Sequence, residues 1–225
     1  MKIRSTLTAV AVALWTAAAC AQSFTNVVNQ TIPDANPSGL TLTANVSGVG
    51  GSISDISLSL TISSASGSTA FNGDLYAYLA GPNGGFSVLL NRVGVGTGNA
   101  FGYSDRGMDV TFAIGAPNIH FYQPGPINGL GQLTGTWGAD GRTVDPQSSP
   151  AAFDAGGTAA LDSFIGANPN GTWVLFLNDN SGGNTAQVEK WTLNLTTVPE
   201  PSPWALTLVA VVLFIRFRGG VRRHP

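Results

Sequence analysis

Ile56-Ser57-Leu58-Ser59-Leu60-Thr61-Ile62 places an apolar residue at every even position and a hydroxyl at every odd one. A period of two is the period of a β-strand, so this segment predicts one buried face and one wet Ser/Thr face. The same alternation recurs on either side of it. Leu40-Thr41-Leu42-Thr43, Met108-Asp109-Val110-Thr111-Phe112 and Trp191-Thr192-Leu193-Asn194-Leu195 all carry it. Leu75 to Leu79 and Trp173 to Leu177 are apolar at both parities and suit central strands. Asn72-Gly73, Pro82-Asn83-Gly84-Gly85, Asn170-Gly171 and Ser181-Gly182-Gly183 supply turn residues between them. About eight short strands at this spacing predict an all-β, jelly-roll-type β-sandwich.

Composition agrees once the ends are set aside. The chain has 225 residues, 43% hydrophobic, with mean hydropathy +0.17 and formal charge −2. Six of its ten basic residues lie near the ends: Lys2, Arg4, Arg216, Arg218, Arg222 and Arg223. Residues 22–197 hold eleven acids against Arg92, Arg106, Arg142 and Lys190, a net charge of −7. They contain one Lys and one Glu, so the usual surface residues of helices are nearly missing. No basic run lies within them, which leaves no footprint for nucleic acid. The lone Cys20 rules out a disulfide framework and a Cys-based zinc site. Residues 113–160 form a Gly/Pro-rich insertion with little periodicity. A short strand or helical turn is expected near Gly135–Gly138, packed over one sheet.

The N-terminal residues 1–21 read as a signal peptide. Lys2 and Arg4 precede an apolar run from Leu7 to Ala19, and small residues Ala19 and Ala21 place cleavage between Ala21 and Gln22. Ala17-Ala18-Ala19 lacks the large aliphatic residue that lipidation at Cys20 would want. The C-terminal residues 198–225 read Val-Pro199-Glu200-Pro201, an apolar run from Trp204 to Ile215, then Arg216, Arg218, Arg222 and Arg223. Twelve apolar residues reach about 18 Å as a helix, short of a hydrocarbon core of about 30 Å. Positive residues stay cytoplasmic, so the body is expected on the outer side.

This tail resembles a PEP-CTERM sorting signal. The resemblance implies export from a Gram-negative bacterium, transient membrane attachment by a short transmembrane helix, and recognition of Pro199-Glu200-Pro201 by an exosortase after signal peptidase has acted at Ala21. It also implies a destination at the cell surface or in an exopolysaccharide matrix. A second resemblance lies in the body. Phe71-Asn72-Gly73-Asp74-Leu75 through Leu79-Ala80-Gly81-Pro82-Asn83-Gly84, then Ser87 to Leu90 and Arg92, form its first segment. Asn170-Gly171-Thr172-Trp173-Val174-Leu175, Asp179, Asn184 and Trp191-Thr192-Leu193 form its second. They look like the signatures of the proprotein convertase P domain, a β-sandwich, with Ile32-Pro33-Asp34 and Ile53 to Ile62 as leading strands. That resemblance implies structural calcium, with Asp74, Asp179 and Asn184 as candidate ligands; the closely spaced oxygens of 179–185 suit a hard cation.

Catalytic arrangements fare worse. A Ser-His-Asp mechanism needs a placed His, and the body holds only His120, expected on a loop or edge. Gly102-Tyr103-Ser104-Asp105-Arg106 departs from a nucleophile elbow at its last position. Zinc hydrolysis wants about three ligands. Two placed carboxylates of a glycosidase remain open, although ten of the eleven acids are Asp, mostly near turns. Trp173 and Trp191 are expected in the core, and Trp137 as an exposed contact. The sequence therefore predicts an exported, non-catalytic structural, adhesive or binding protein. A secreted hydrolase or protease-associated accessory module is one alternative, and a calcium-dependent carbohydrate-binding module another.

Overall fold

A computed structural model describes residues 19–199, and in it the alternating segments become strands. Among the described residues there are nine: β1 (Cys20–Thr31), β2 (Leu40–Val46), β3 (Ser52–Ser64), β4 (Leu75–Ala80), β5 (Phe86–Asn91), β6 (Met108–Ala113), β7 (Leu133–Trp137), β8 (Gly171–Asp179) and β9 (Ala186–Val198). They form a five-stranded sheet in the order β1-β9-β3-β6-β7 and a four-stranded sheet in the order β2-β8-β4-β5. Every pairing is antiparallel except β6 with β7. The expected all-β sandwich is what forms. Its chain passes between the sheets at most connections, the way a jelly roll winds, with β7 added at one edge.

The even positions of the opening segment line the core. Leu58 and Leu60 are fully buried, as are Leu193 and Phe112 on the flanking strands. Trp173 and Trp191 lie between the sheets at 1% exposure, so both belong to the core as expected. Burying a large aromatic there contributes on the order of 2–3 kcal/mol relative to leaving it in water. The two segments apolar at both parities became β4 and β8, the inner strands of the four-stranded sheet.

One expectation is corrected. Ile32-Pro33-Asp34 is not a leading strand, because the ladder of β1 stops at Thr31 and Ile32 only donates its N–H to Ala186. Asn72-Gly73 forms the expected turn, a buried 3-10 turn ahead of β4. Asn72 Nδ2 donates to the Gly107 carbonyl, and its Oδ1 accepts from Gly107 N–H. A Cβ on Gly73 would collide with the Phe101 carbonyl, which explains a glycine at that point.

The insertion 113–160 is ordered by few strands and many specific bonds. The segment expected near 135–138 is β7, and Ile119–Phe121 and Pro150–Asp154 are short 3-10 turns. Its later part lies along β5: Val88 donates to Ala159 (2.8 Å), and Asp140 and Gly141 donate back to Leu89 and Val88. The carboxylate of Asp140 is the hub. It is fully buried, holds Arg142 Nη1 at 3.0 Å on one oxygen, and holds His120 Nδ1 at 2.8 Å on the other. Arg142 also donates to Phe153 O and stacks 5.0 Å from the Phe121 ring. Truncating one partner of such a pair strands a buried charge. Asp140→Ala should lower the unfolding free energy by about 3–5 kcal/mol in urea titration; a loss under about 1 kcal/mol would contradict this role.

Candidate functional site

His120, expected on a loop or edge, lies in the 3-10 turn Ile119–Phe121 of the insertion and is 1% exposed. Its Nδ1 meets Asp140 and its Nε2 meets the Val95 carbonyl at 2.9 Å. Both ring nitrogens are engaged by acceptor oxygens inside the protein, and no serine hydroxyl among the described residues bonds to them. The ring is a structural cross-link between the insertion and the 92–96 turn, not a base facing a substrate. Trp137 departs from the expected exposed contact. It is half-buried, packs against the core and donates Nε1–H to Thr134 O at 2.9 Å.

The candidate calcium ligands gather only in part. Asp74 immediately precedes β4, and Asp179 ends β8 opposite Leu75. Both are buried. Asp179 Oδ1 accepts from Ser181 N–H at 3.2 Å, whereas its Oδ2 is buried with no hydrogen-bond partner. Asn184 is half-buried on the connecting turn and shares no hydrogen bond with either. Asp34 is the acid that sequence reasoning missed. Its Oδ2 accepts from Gly183 N–H, and its charge bears on both Asp74 and Asp179. The signal available for it was an Asp after Pro33 in a turn. Burial pushes the Asp179 carboxyl up to about 7; the Ser181 N–H opposes this, and repulsion from Asp74 and Asp34 adds to it. Burial also raises Asp74, against a bond from Ser181 and the charge of Arg92. The orphaned Asp179 oxygen suits a hard cation. Among the described residues, however, no three His, Cys, Asp or Glu side chains are close enough together to form a metal-binding group.

The two outer sheet faces differ in chemistry. On the five-stranded sheet the register places Thr25, Thr192, Ser59, Thr111 and Thr136 in one row across all five strands. The hydroxyls of Thr25 and Thr192 are 2.9 Å apart, and those of Ser59 and Thr111 are 3.0 Å apart. This face forms a groove of about 640 Å³. On the four-stranded sheet, Tyr78 stacks on Phe176 with ring centroids 5.0 Å apart, and Tyr76 and Phe86 pack against them. Ser59, Thr111 and Thr192 of this face are polar positions of the alternating segments, which the sequence marked only as wet.

Of the sorting positions, Ala21 and Gln22 lie in β1 opposite Thr196 and Leu195, and Pro199 follows β9. Residues 1–18 of the signal segment, Glu200, Pro201, the apolar run 204–215 expected to be helical and the Arg cluster lie outside the described residues. Among the described residues no helix is long and apolar enough to cross a membrane.

No family model matches the chain, and no curated protein does. Solved structures that resemble it include two of a bacterial serine protease. One is the serine protease of Aeromonas sobria in complex with its chaperone, at 14% identity and TM-score 0.44, covering 82% of this chain and 28% of that one. The other is the serine protease of Aeromonas sobria alone, at 13% identity and TM-score 0.42, covering 80% and 27%. The chain thus spans a little over a quarter of the length of either neighbour.

The buried acids make stability depend on pH. Between the ordinary value of 3.8 and about 7, the folded chain keeps a proton on Asp179 that the unfolded chain has released. Stability should therefore fall as pH rises through that window and level off above it, with Asp74 contributing in the same direction. Thermal melts at pH 5 and pH 8 measure this, and Asp179→Asn should flatten the profile. An unchanged slope in that variant would remove Asp179 as the cause.

Proposed function

We propose that this chain is an exported, non-catalytic protein of a Gram-negative bacterium. It serves as a structural, adhesive or binding component at the cell surface or in an exopolysaccharide matrix. The observation that carries the reading is the pair of open sheet faces, one bearing hydroxyls and one bearing aromatic rings, on a body whose His120 is tied up internally. Such faces suit contact with a polymer, and they lack a placed acid–base pair.

In this reading the body is P-domain-like and the ends are addresses. Signal peptidase cuts after Ala21, which removes Cys20 and Ala21 from the end of β1 and leaves its pairing from Gln22 onward. The short C-terminal helix holds the chain in the membrane with its Arg cluster inside, while exosortase acts near Pro199-Glu200-Pro201. Mass spectrometry of the native exported protein should then find no peptide C-terminal to Leu206. A mature protein that still ends at Pro225 would contradict processing.

A second reading, a calcium-dependent carbohydrate-binding module, is favoured by the unpartnered Oδ2 of Asp179. Asp74 and Asp179 would supply carboxylate oxygens, and the ion would neutralise their mutual repulsion. Calcium should then raise the melting temperature, a chelator should reverse the rise, and Asp179→Asn should abolish it. No binding heat and no change in melting temperature would remove calcium from the account.

A further inference from the structure

We propose that the outer face of the five-stranded sheet is a binding groove for an uncharged polysaccharide chain laid across the strands. The proposal rests on the matrix reading above and assigns it a site and a ligand class.

Three in-register rows make the surface. The first is Ser23, Asn194, Ser57 and Ala113. The second is the five-hydroxyl row from Thr25 to Thr136. The third is Val27, Lys190, Thr61, Asp109 and Thr134. Thr61 is a floor residue, 6% exposed, and its hydroxyl donates to Asp109 Oδ1 at 3.0 Å.

The charge pattern selects the ligand. Charged side chains on a binding surface attract charged partners of opposite sign. Here Lys190 and Asp109 are the sole charged residues in the three rows, and they share a row. The groove is therefore neutral overall. A polyanion such as nucleic acid or a polyuronate gains nothing from it.

Hydroxyl chemistry selects it further. Each Ser or Thr hydroxyl donates one bond and accepts two. Pairing Thr25 with Thr192 and Ser59 with Thr111 consumes one donor per pair. Donor and acceptor capacity is left over along the whole row. A sugar hydroxyl has the same dual character, so either partner can supply the proton. Geometry adds a match of repeat. Adjacent strands stand about 4.8 Å apart, close to the advance of one pyranose in an extended 1,4-linked chain. Five strands span about 19 Å from first to last, so successive sugars meet successive strands of the row. A groove of about 640 Å³ accommodates several of them.

The full chain, labelled with nitrogen-15 in detergent micelles, would be titrated with cellohexaose, mannohexaose and hexaguluronate. Amide shifts should appear on β9, β3 and β6 with at least one neutral hexasaccharide and be weaker with the anionic one. The double variant Thr111→Val with Thr192→Val keeps β-branched shape and should weaken that binding roughly tenfold through the hydroxyl bonds it removes. Ser59→Ala is a second, independent variant and should weaken it several-fold. An amide spectrum otherwise unchanged would show that the variants are folded. Shifts centred on Tyr78 and Phe176 would overturn the groove while keeping a polysaccharide-binding protein. Tighter binding of hexaguluronate would overturn the uncharged ligand. No shift with any of the three overturns the groove, whereas the export reading is decided separately by the C-terminal mass.

Discussion

The buried carboxylate of Asp140 is the point on which the irregular part of this protein depends. A segment rich in Gly and Pro offers few regular ladders, yet its backbone polar groups still need partners once it packs. Asp140 answers two requirements at once. It neutralises Arg142, and through His120 it reaches the 92–96 turn that follows β5. With that anchor set, residues 139–141 and 159 can lie along β5 and shelter Val88, Leu89 and Leu90. A charge inside a protein is costly without a partner and specific with one. Here its value lies in holding one conformation of a chain that lacks periodic instruction.

The body also illustrates how a sandwich with few charges divides its labour. Apolar side chains of one parity fill the space between the sheets. Side chains of the other parity decide what each exterior offers. On one sheet they are almost wholly hydroxyls and amides, and on the other they are rings. The Asp residues sit mostly outside the strands, at turns, where N–H groups need acceptors: Asp34 serves Gly183, Asp145 serves Gln147, and Asp154 serves Thr97. Most of the body's acids thus lie in its connections, with Asp55, Asp109 and Glu189 on strands of the five-stranded sheet.

Much of this architecture was legible in the order of residues. The alternation at 56–62, 108–112 and 191–195 fixes both the strand and the face, because a slip of one residue would bury hydroxyls and expose Leu. The double-sided runs at 75–79 and 173–177 identified inner strands, although their outer sides turned out to be half-buried rings and not a second core. What was not legible depends on contacts remote in sequence. Nothing local to His120 announces Asp140 or the Val95 carbonyl. Nothing local to Asp34 places it beside Asp74 and Asp179. Asn72-Gly73 has the letters of a surface turn, and becomes buried because the Gly107 backbone lies there to satisfy its amide. The hydroxyl row needs the register of five strands before it exists at all.

The strand order has a further consequence for how the molecule comes into being. β9 lies between β1 and β3, and β8 lies between β2 and β4. Each sheet therefore receives an interior strand from the last part of the body to be synthesised. Until residues 171–198 arrive, β1 and β2 have no ladder partner, and only β3-β6-β7 and β4-β5 can pair. A chain threaded N-terminus first must stay open over most of its length and then close by insertion. Pairings this distant in sequence make closure slow compared with hairpin-by-hairpin assembly. The final strand acts as the keystone that ends that open state.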